Sequence, residues 1–158
     1  MAELSVIHNT FVIERIYPKP AERVFAAFSD AGKKRRWFAD GMSQTAVESF
    51  EMDFRVGGAE RAQYRFKEGS LFPGVVMVHA GSFQNIVPDN RIISASTMTF
   101  GDHCISATLA TFEFVPTAGG TILKFTHQAA FFENSDGPKM REDGWQKLFE
   151  KLAKELAQ

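Results

Sequence analysis

Two periodicities divide the chain. Residues 5–17 ("SVIHNTFVIERIY") are rich in β-branched and aromatic residues and read as a first strand. At "PKPAERVFAAFS" the period changes: Pro20 suits the first turn of a helix, and Val24, Phe25 and Phe28 follow at helical spacing. Asp30 is placed to cap a second short helix, "AGKKRRWF". From about residue 44 to 128 the pattern is β throughout, cut by turn chemistry at "VGG" (56–58), "EGS" (68–70), "PDN" (88–90), "GDH" (101–103) and "TAGG" (117–120). Short turns between successive strands predict an antiparallel meander of six strands, with no room for crossover helices. "ENSDGP" (133–138) ends it, with Asp136 as a helix cap. The remainder, "KMREDGWQKLFEKLAKELAQ", carries Trp145, Leu148, Phe149, Leu152 and Leu156 on one helical stripe. Its acids Glu142 and Asp143 come early and its lysines late, as the helix dipole favours. An apolar sheet face must be covered, and this helix is the only long amphipathic element available. The expectation is an α+β fold whose sheet curls around the C-terminal helix.

One stretch, "FEMDFRVGG" (50–58), invites a phosphate-loop reading. Such a loop needs a helix directly after its glycines, and here "AERAQYRF" continues as strand. Phe50, Met52 and Phe54 alternate with Glu51, Asp53 and Arg55, and Ala62, Tyr64 and Phe66 alternate with Arg61, Gln63 and Arg65. Matching these faces predicts a three-residue loop Val56–Gly58, Gly58 at positive φ, and Asp53 opposite Arg61 in a cross-strand charge ladder.

Composition adds limits. The chain has 158 residues, the size of one domain, and residues 1–158 read as a single unit without repeat or linker. A net charge of −1 supplies no field for nucleic acid or an anionic membrane. The start lacks the basic and apolar runs of a signal peptide, and no apolar stretch approaches the roughly 18 residues of a membrane span. A single cysteine, Cys104, fits a reducing compartment, so a cytoplasmic protein is expected, with no membrane insertion. Sixteen Phe against two Tyr and two Trp point to a bulky aromatic interior or an apolar cavity lining.

Five segments carry a resemblance: "PAERVFAAFSD…WF", "MDFRVGG", "IVPDNRI", "ATFEFVPTAGGTILKFTH" and "GWQKLFEKLAKEL". In this order they resemble homologues of the heat-shock protein 90 ATPase activator C-terminal domain, within the START-like (SRPBCC) superfamily. The resemblance implies a helix-grip fold, a curved antiparallel sheet around the long helix with an apolar cavity between them. No cofactor is expected. The resemblance leaves three roles open: a carrier of a small apolar or aromatic molecule, a cyclase- or hydrolase-like enzyme, or an interaction module for a chaperone or stress-response partner.

Candidate chemistry is sparse. His8, His79, His103 and His127 are scattered, and "DHC" (102–104) lacks a second cluster, so no metal is expected. Cys104 reads as a small buried hydrophobe. "KKRRWF" (33–38) reads as a solvated basic face with Trp37 and Phe38 turned inward, not as a nucleic-acid contact. His79 shares strand parity with Met77 and Phe83, and His127 with Leu123 and Phe125. Either can orient a ligand or act as a general base. Parity assigns the cavity lining to Phe50, Met52, Phe54, Met77, His79, Phe83, Met98, Phe112, Phe114, Phe125, His127, Trp145 and Phe149. Gly144 and Ala153, on or near the inner stripe, are expected to leave the space open. A monomer or weak homodimer is expected.

Overall fold

The structure, a computed structural model, describes residues 4–158. Strand β1 (Ile7–Tyr17) is followed by helices α1 (Ala21–Ser29) and α2 (Ala31–Lys34), the latter running into a π-helical turn (Arg35–Ala39). Strands β2 (Thr45–Met52), β3 (Ala59–Phe66), β4 (Val76–Val87), β5 (Arg91–Phe100), β6 (His103–Thr117) and β7 (Gly120–Phe131) then form consecutive hairpins, and α3 (Gly137–Leu156) closes the chain. All seven strands lie in one antiparallel sheet, ordered β1-β7-β6-β5-β4-β3-β2. Each predicted turn cluster falls between two neighbouring strands. The fold is helix-grip.

Irregularities in pairing help the sheet curl. Register shifts lie between Val47 and Ser49, between Phe83 and Asn85, and between Met98 and Thr99. An extra residue on one strand bends it and increases its twist. The concave face then closes on α1, the π-turn and α3. Phe28 of α1 packs against Trp37, Phe112 and Phe114 at 5.0–5.1 Å between ring centroids. Tilted and edge-on arrangements such as these suit the ring quadrupoles. The helix stripe behaves as expected: Phe149, Leu152 and Leu156 are buried, while Trp145 and Leu148 pack at the margin. Asp30 caps α2, its Oδ1 accepting from the Lys33 amide at 3.0 Å. Asp136 occupies the cap position of α3, but its carboxylate is taken by Arg141 at 2.8 and 2.9 Å and does not cap the helix backbone.

Four expectations need correction. The β2–β3 loop runs from Asp53 to Gly58, so Arg61 faces Glu51, not Asp53; Asp53 instead binds Arg55 within the loop at 2.7 Å. The faces still match, because the register moved by two residues and side chains alternate with period two. It is Gly57 that has positive φ, +84°, while Gly58 is needed for space: a Cβ there would lie 2.0 Å from the Asp53 carbonyl oxygen. Cys104 is exposed, because the register shift between Met98 and Thr99 pairs it with Thr99 and takes it off the inward parity of Ser106, Ala110 and Phe112. Gly144 and Ala153 both lie on the solvent side of α3 and leave no space at its inner face.

Candidate functional site

α3 does not cover the whole concave face. It is tied to the β1–β7–β6 side: the Tyr17 hydroxyl donates to the Phe149 carbonyl at 2.9 Å, and Arg15 donates to the Gln146 carbonyl and side-chain oxygen. Trp145 lies against Phe125 at 4.6 Å and Phe112 at 5.9 Å, and Arg141 donates to the Ser106 hydroxyl. On the other side, Phe50, Ala62, His79 and Met98 form one row of directly paired inward residues across β2, β3, β4 and β5. Of these only Ala62 is buried; Phe50, His79 and Met98, with Met77 beside them, are half-buried. Phe38 packs against this row and against α3, its ring 6.3 Å from Phe50, 5.4 Å from His79 and 5.8 Å from Trp145.

A buried ionic chain lies beside that row, on the same concave side of the sheet. Lys34 Nζ lies 3.1 Å from Glu60 Oε2, and Glu60 Oε1 lies 3.1 Å from His79 Nε2. The side chains of Lys34 and Glu60 retain only 5% and 8% of their accessible surface, and that of His79 14%. Lys34 also sits over the rings of Phe38, Phe28 and Trp37 at 4.7, 5.5 and 5.5 Å, a desolvated cation–π cage. Burial alone pushes the Glu60 carboxyl up, yet the Lys34 ammonium and the His79 hydrogen bond outweigh it and hold Glu60 well below the usual carboxylate range. Burial and the nearby Glu60 charge push the Tyr64 hydroxyl up, so it stays protonated.

The local backbone explains how a lysine comes to lie here. Lys34, Trp37 and Phe38 are spaced i, i+3, i+4, so they share one helix face, and the π-turn directs the last two inward together. Lys34 is therefore buried, in contrast to the solvated face expected for "KKRRWF"; Lys33, Arg35 and Arg36 do reach solvent. Glu60 has the same parity as Ala62 and Tyr64 and faces inward with them. Sequence reading missed both residues. An acid on the apolar face of one strand and a lysine in register with two inward aromatics were the available signals.

Of the thirteen predicted lining residues, Phe83, Phe112, Phe114, Phe125, His127 and Phe149 are buried in the core. Phe50, Met52, Phe54, Met77, His79, Met98 and Trp145 are half-buried. The two histidines are not brought together, since β5 and β6 separate their strands. His127 stacks on Phe11 at 4.4 Å, and burial together with the nearby Arg141 charge lowers its pKa to about 4. It is a neutral core residue whose Nδ1 finds no partner among the described residues. Two surface recesses, neither of which includes any of the thirteen, lie elsewhere. One is an open trough of about 910 Å³ across the outer face of the sheet, among residues such as Thr10, Ala80, Thr97 and Leu109. The other lies between Pro18–Glu22 and the β6–β7 turn.

A curved seven-stranded antiparallel sheet gripping a C-terminal helix is the fold of the START-like class. The chain belongs to the family described as Activator of Hsp90 ATPase homolog 1-like protein, whose model matches residues 18–157. It is similar to an uncharacterized protein from Rhizobium leguminosarum, at 33% identity over 99% of each chain with a TM-score of 0.90. It is also similar to a protein from Rhizobium loti, at 44% identity over 96% of this chain and 99% of that one, with a TM-score of 0.84. An AHSA1-like protein from Aeromonas hydrophila shares the fold at 22% identity, over 94% of this chain and 92% of that one, with a TM-score of 0.69. No curated protein matches the chain. Among the described residues no helix is long and apolar enough to cross a membrane.

Proposed function

We propose that this protein binds a small apolar or aromatic molecule in the groove between the β4–β5 part of the concave face and the Phe38–Trp145 wall. One observation carries the reading. Phe50, Met77, Met98 and Trp145 face inward yet remain half-buried, and His79, in one row with Phe50 and Met98, is held by a buried ion pair. Large apolar side chains left open around a few fixed polar groups are what small-molecule sites present. Buried charges that contribute little net stability are often retained for such a site.

A thermal-shift screen of neutral aromatics and sterols tests it. A ligand at a hundredfold excess over its dissociation constant stabilises the fold by about 2.7 kcal/mol, roughly 5–10 °C at this chain length. The shift should vanish in Met98→Trp, which fills the groove while leaving the ion pair in place. Absence of any shift in the wild type, or an undiminished shift in Met98→Trp, removes the reading.

A further inference from the structure

The outer face of the sheet carries a regular row of charges. Glu14, Lys124, Glu113 and Arg91 are directly paired across β1, β7, β6 and β5, so they line up across four strands with alternating sign. Each adjoins a buried residue (Ile13, Phe125, Phe112 and Ile92) and therefore points outward. Among the described residues none of the four forms an ion pair with another, and Arg91 donates instead to the Asn85 side chain at 2.8 Å. On one side of the row Ile16, Ile122 and Val115 are paired; on the other come Val12, Thr126, Thr111 and Ile93. Beyond these lies the trough, whose outward side chains are mostly short, such as Ala80, Ala95, Thr97 and Ala107. From Val12 to the far side of the trough no outward position is a lysine, arginine or carboxylate, although a sheet face that stays in water normally alternates to polar residues. None of the residues lining the trough is buried, so no fixed polar group marks it as a small-molecule site.

We infer that a second copy of this chain covers the outer face, in a dimer whose two-fold axis lies between the two faces and runs along the strands between β6 and β7. That operation keeps strand direction and reverses strand order, so β1 faces the other copy's β5 and β7 faces its β6. A row of alternating sign then meets its own reverse. Glu14 faces the partner's Arg91, Lys124 faces the partner's Glu113, and symmetry repeats both pairs. In the adjoining rows Val12 faces the partner's Ile93 and Ile122 faces the partner's Val115. Ala107 faces the partner's Ala130, which lets the central strands come close. A two-fold axis across the strands at the same row would set Glu14 against the partner's Glu14 and like against like throughout, so the charges select one orientation. Roughly aligned strands are a common way for two sheets to pack. Four strands about 4.8 Å apart, covered over residues 8–16 of β1 at about 3.4 Å each, give a footprint of roughly 500 Å² per copy. The two copies together reach the approximately 1,000 Å² that a specific interface needs.

Sedimentation velocity on the full chain over a concentration series should show the mass rising from one chain to two. Leu109 is 40% exposed at the centre of this face. Leu109→Arg should leave the melting temperature unchanged and keep the chain monomeric. Lys124→Glu and Glu113→Lys should each weaken the dimer at least about tenfold, because each sets two like-charged pairs across the axis. An equimolar mixture of these two variants should dimerise about as tightly as wild type, since each supplies the charge the other lacks. Like-charged neighbours persist within each variant's own sheet, so recovery on mixing can come only from contact between chains. A wild type that stays monomeric to about 1 mM, a dimer that survives Leu109→Arg, or a mixture no tighter than the separate variants overturns the inference. Shifts of the Ala95, Ala107 and Leu109 amide resonances on adding indole to a monomeric chain would also overturn it, marking the trough as a ligand site instead.

Discussion

Removing the buried cation alone, with Lys34→Met, is the sharpest way to test the ionic chain. The methionine keeps the stem length and apolar contacts with Phe28, Trp37 and Phe38 but leaves Glu60 buried without its counter-charge. A carboxylate in that position relieves its burial by taking up a proton. From an ordinary value of 4.5, doing so at pH 7 spans 2.5 pH units at about 1.36 kcal/mol each, roughly 3.4 kcal/mol. That figure agrees with the roughly 3–5 kcal/mol seen when a buried pair loses one partner. The same reasoning sets the pH dependence. At pH 5 the proton costs only about 0.7 kcal/mol, so the deficit relative to wild type should shrink steeply as pH falls. Lys34→Met/Glu60→Leu removes both charges and should recover most of the loss, since an apolar pair of similar volume needs no counter-ion. Urea unfolding of the three proteins at pH 7 and pH 5 measures all of this. A Lys34→Met deficit below about 1 kcal/mol at pH 7, one that does not shrink at pH 5, or a double variant weaker than the single would refute the reasoning.

Two further outcomes are expected. His127 is held neutral in the fold, at about 4, whereas an unfolded imidazole titrates near 6.5. The unfolded state therefore takes the proton first, and stability should fall by up to roughly 3 kcal/mol as pH drops from 6.5 toward 4; His127→Phe should flatten urea-derived stability across that window. In the β2–β3 loop, Gly57→Ala should cost about 1 kcal/mol for its positive φ. Gly58→Ala should cost clearly more, because its Cβ meets backbone, and a melting series that ranks them the other way would contradict the loop geometry described.

The meander was legible because each turn cluster is followed by a run whose parity survives small register errors. The two-residue shift at Gly57–Gly58 changed Arg61's partner from Asp53 to Glu51 without moving any side chain to the other face. The site was harder to read. Phe50, Met77, His79 and Met98 followed from parity alone, but Lys34 and Glu60 are charged residues in segments that otherwise look like solvated surface. Their burial depends on a contact between α2 and β3, 26 residues apart, which no local pattern encodes. Nor does parity reveal that α3 leaves part of the concave face open. That depends on where Tyr17 and Arg15 anchor the helix, through hydrogen bonds from one end of the chain to the other.

The position of β1 also governs the order in which the molecule can assemble. Ile7 pairs with Phe131 and Tyr17 with Thr121, so among the described residues the first strand finds its sheet neighbour in the last. Closing so long a loop costs entropy that is recovered only when the whole ladder forms. The hairpins from β2 to β7 need no such closure and can form as they are synthesised. During synthesis the β1–α1 segment therefore waits, with Phe11, Val24, Phe25 and Phe28 uncovered, until β7 and α3 emerge. If that docking comes after the rate-limiting step, weakening it should mainly speed unfolding and leave the folding rate little changed. The β1–β7 pairing also positions the residues that hold α3 against the sheet, Tyr17 and Arg15, so its loss would open the concave face.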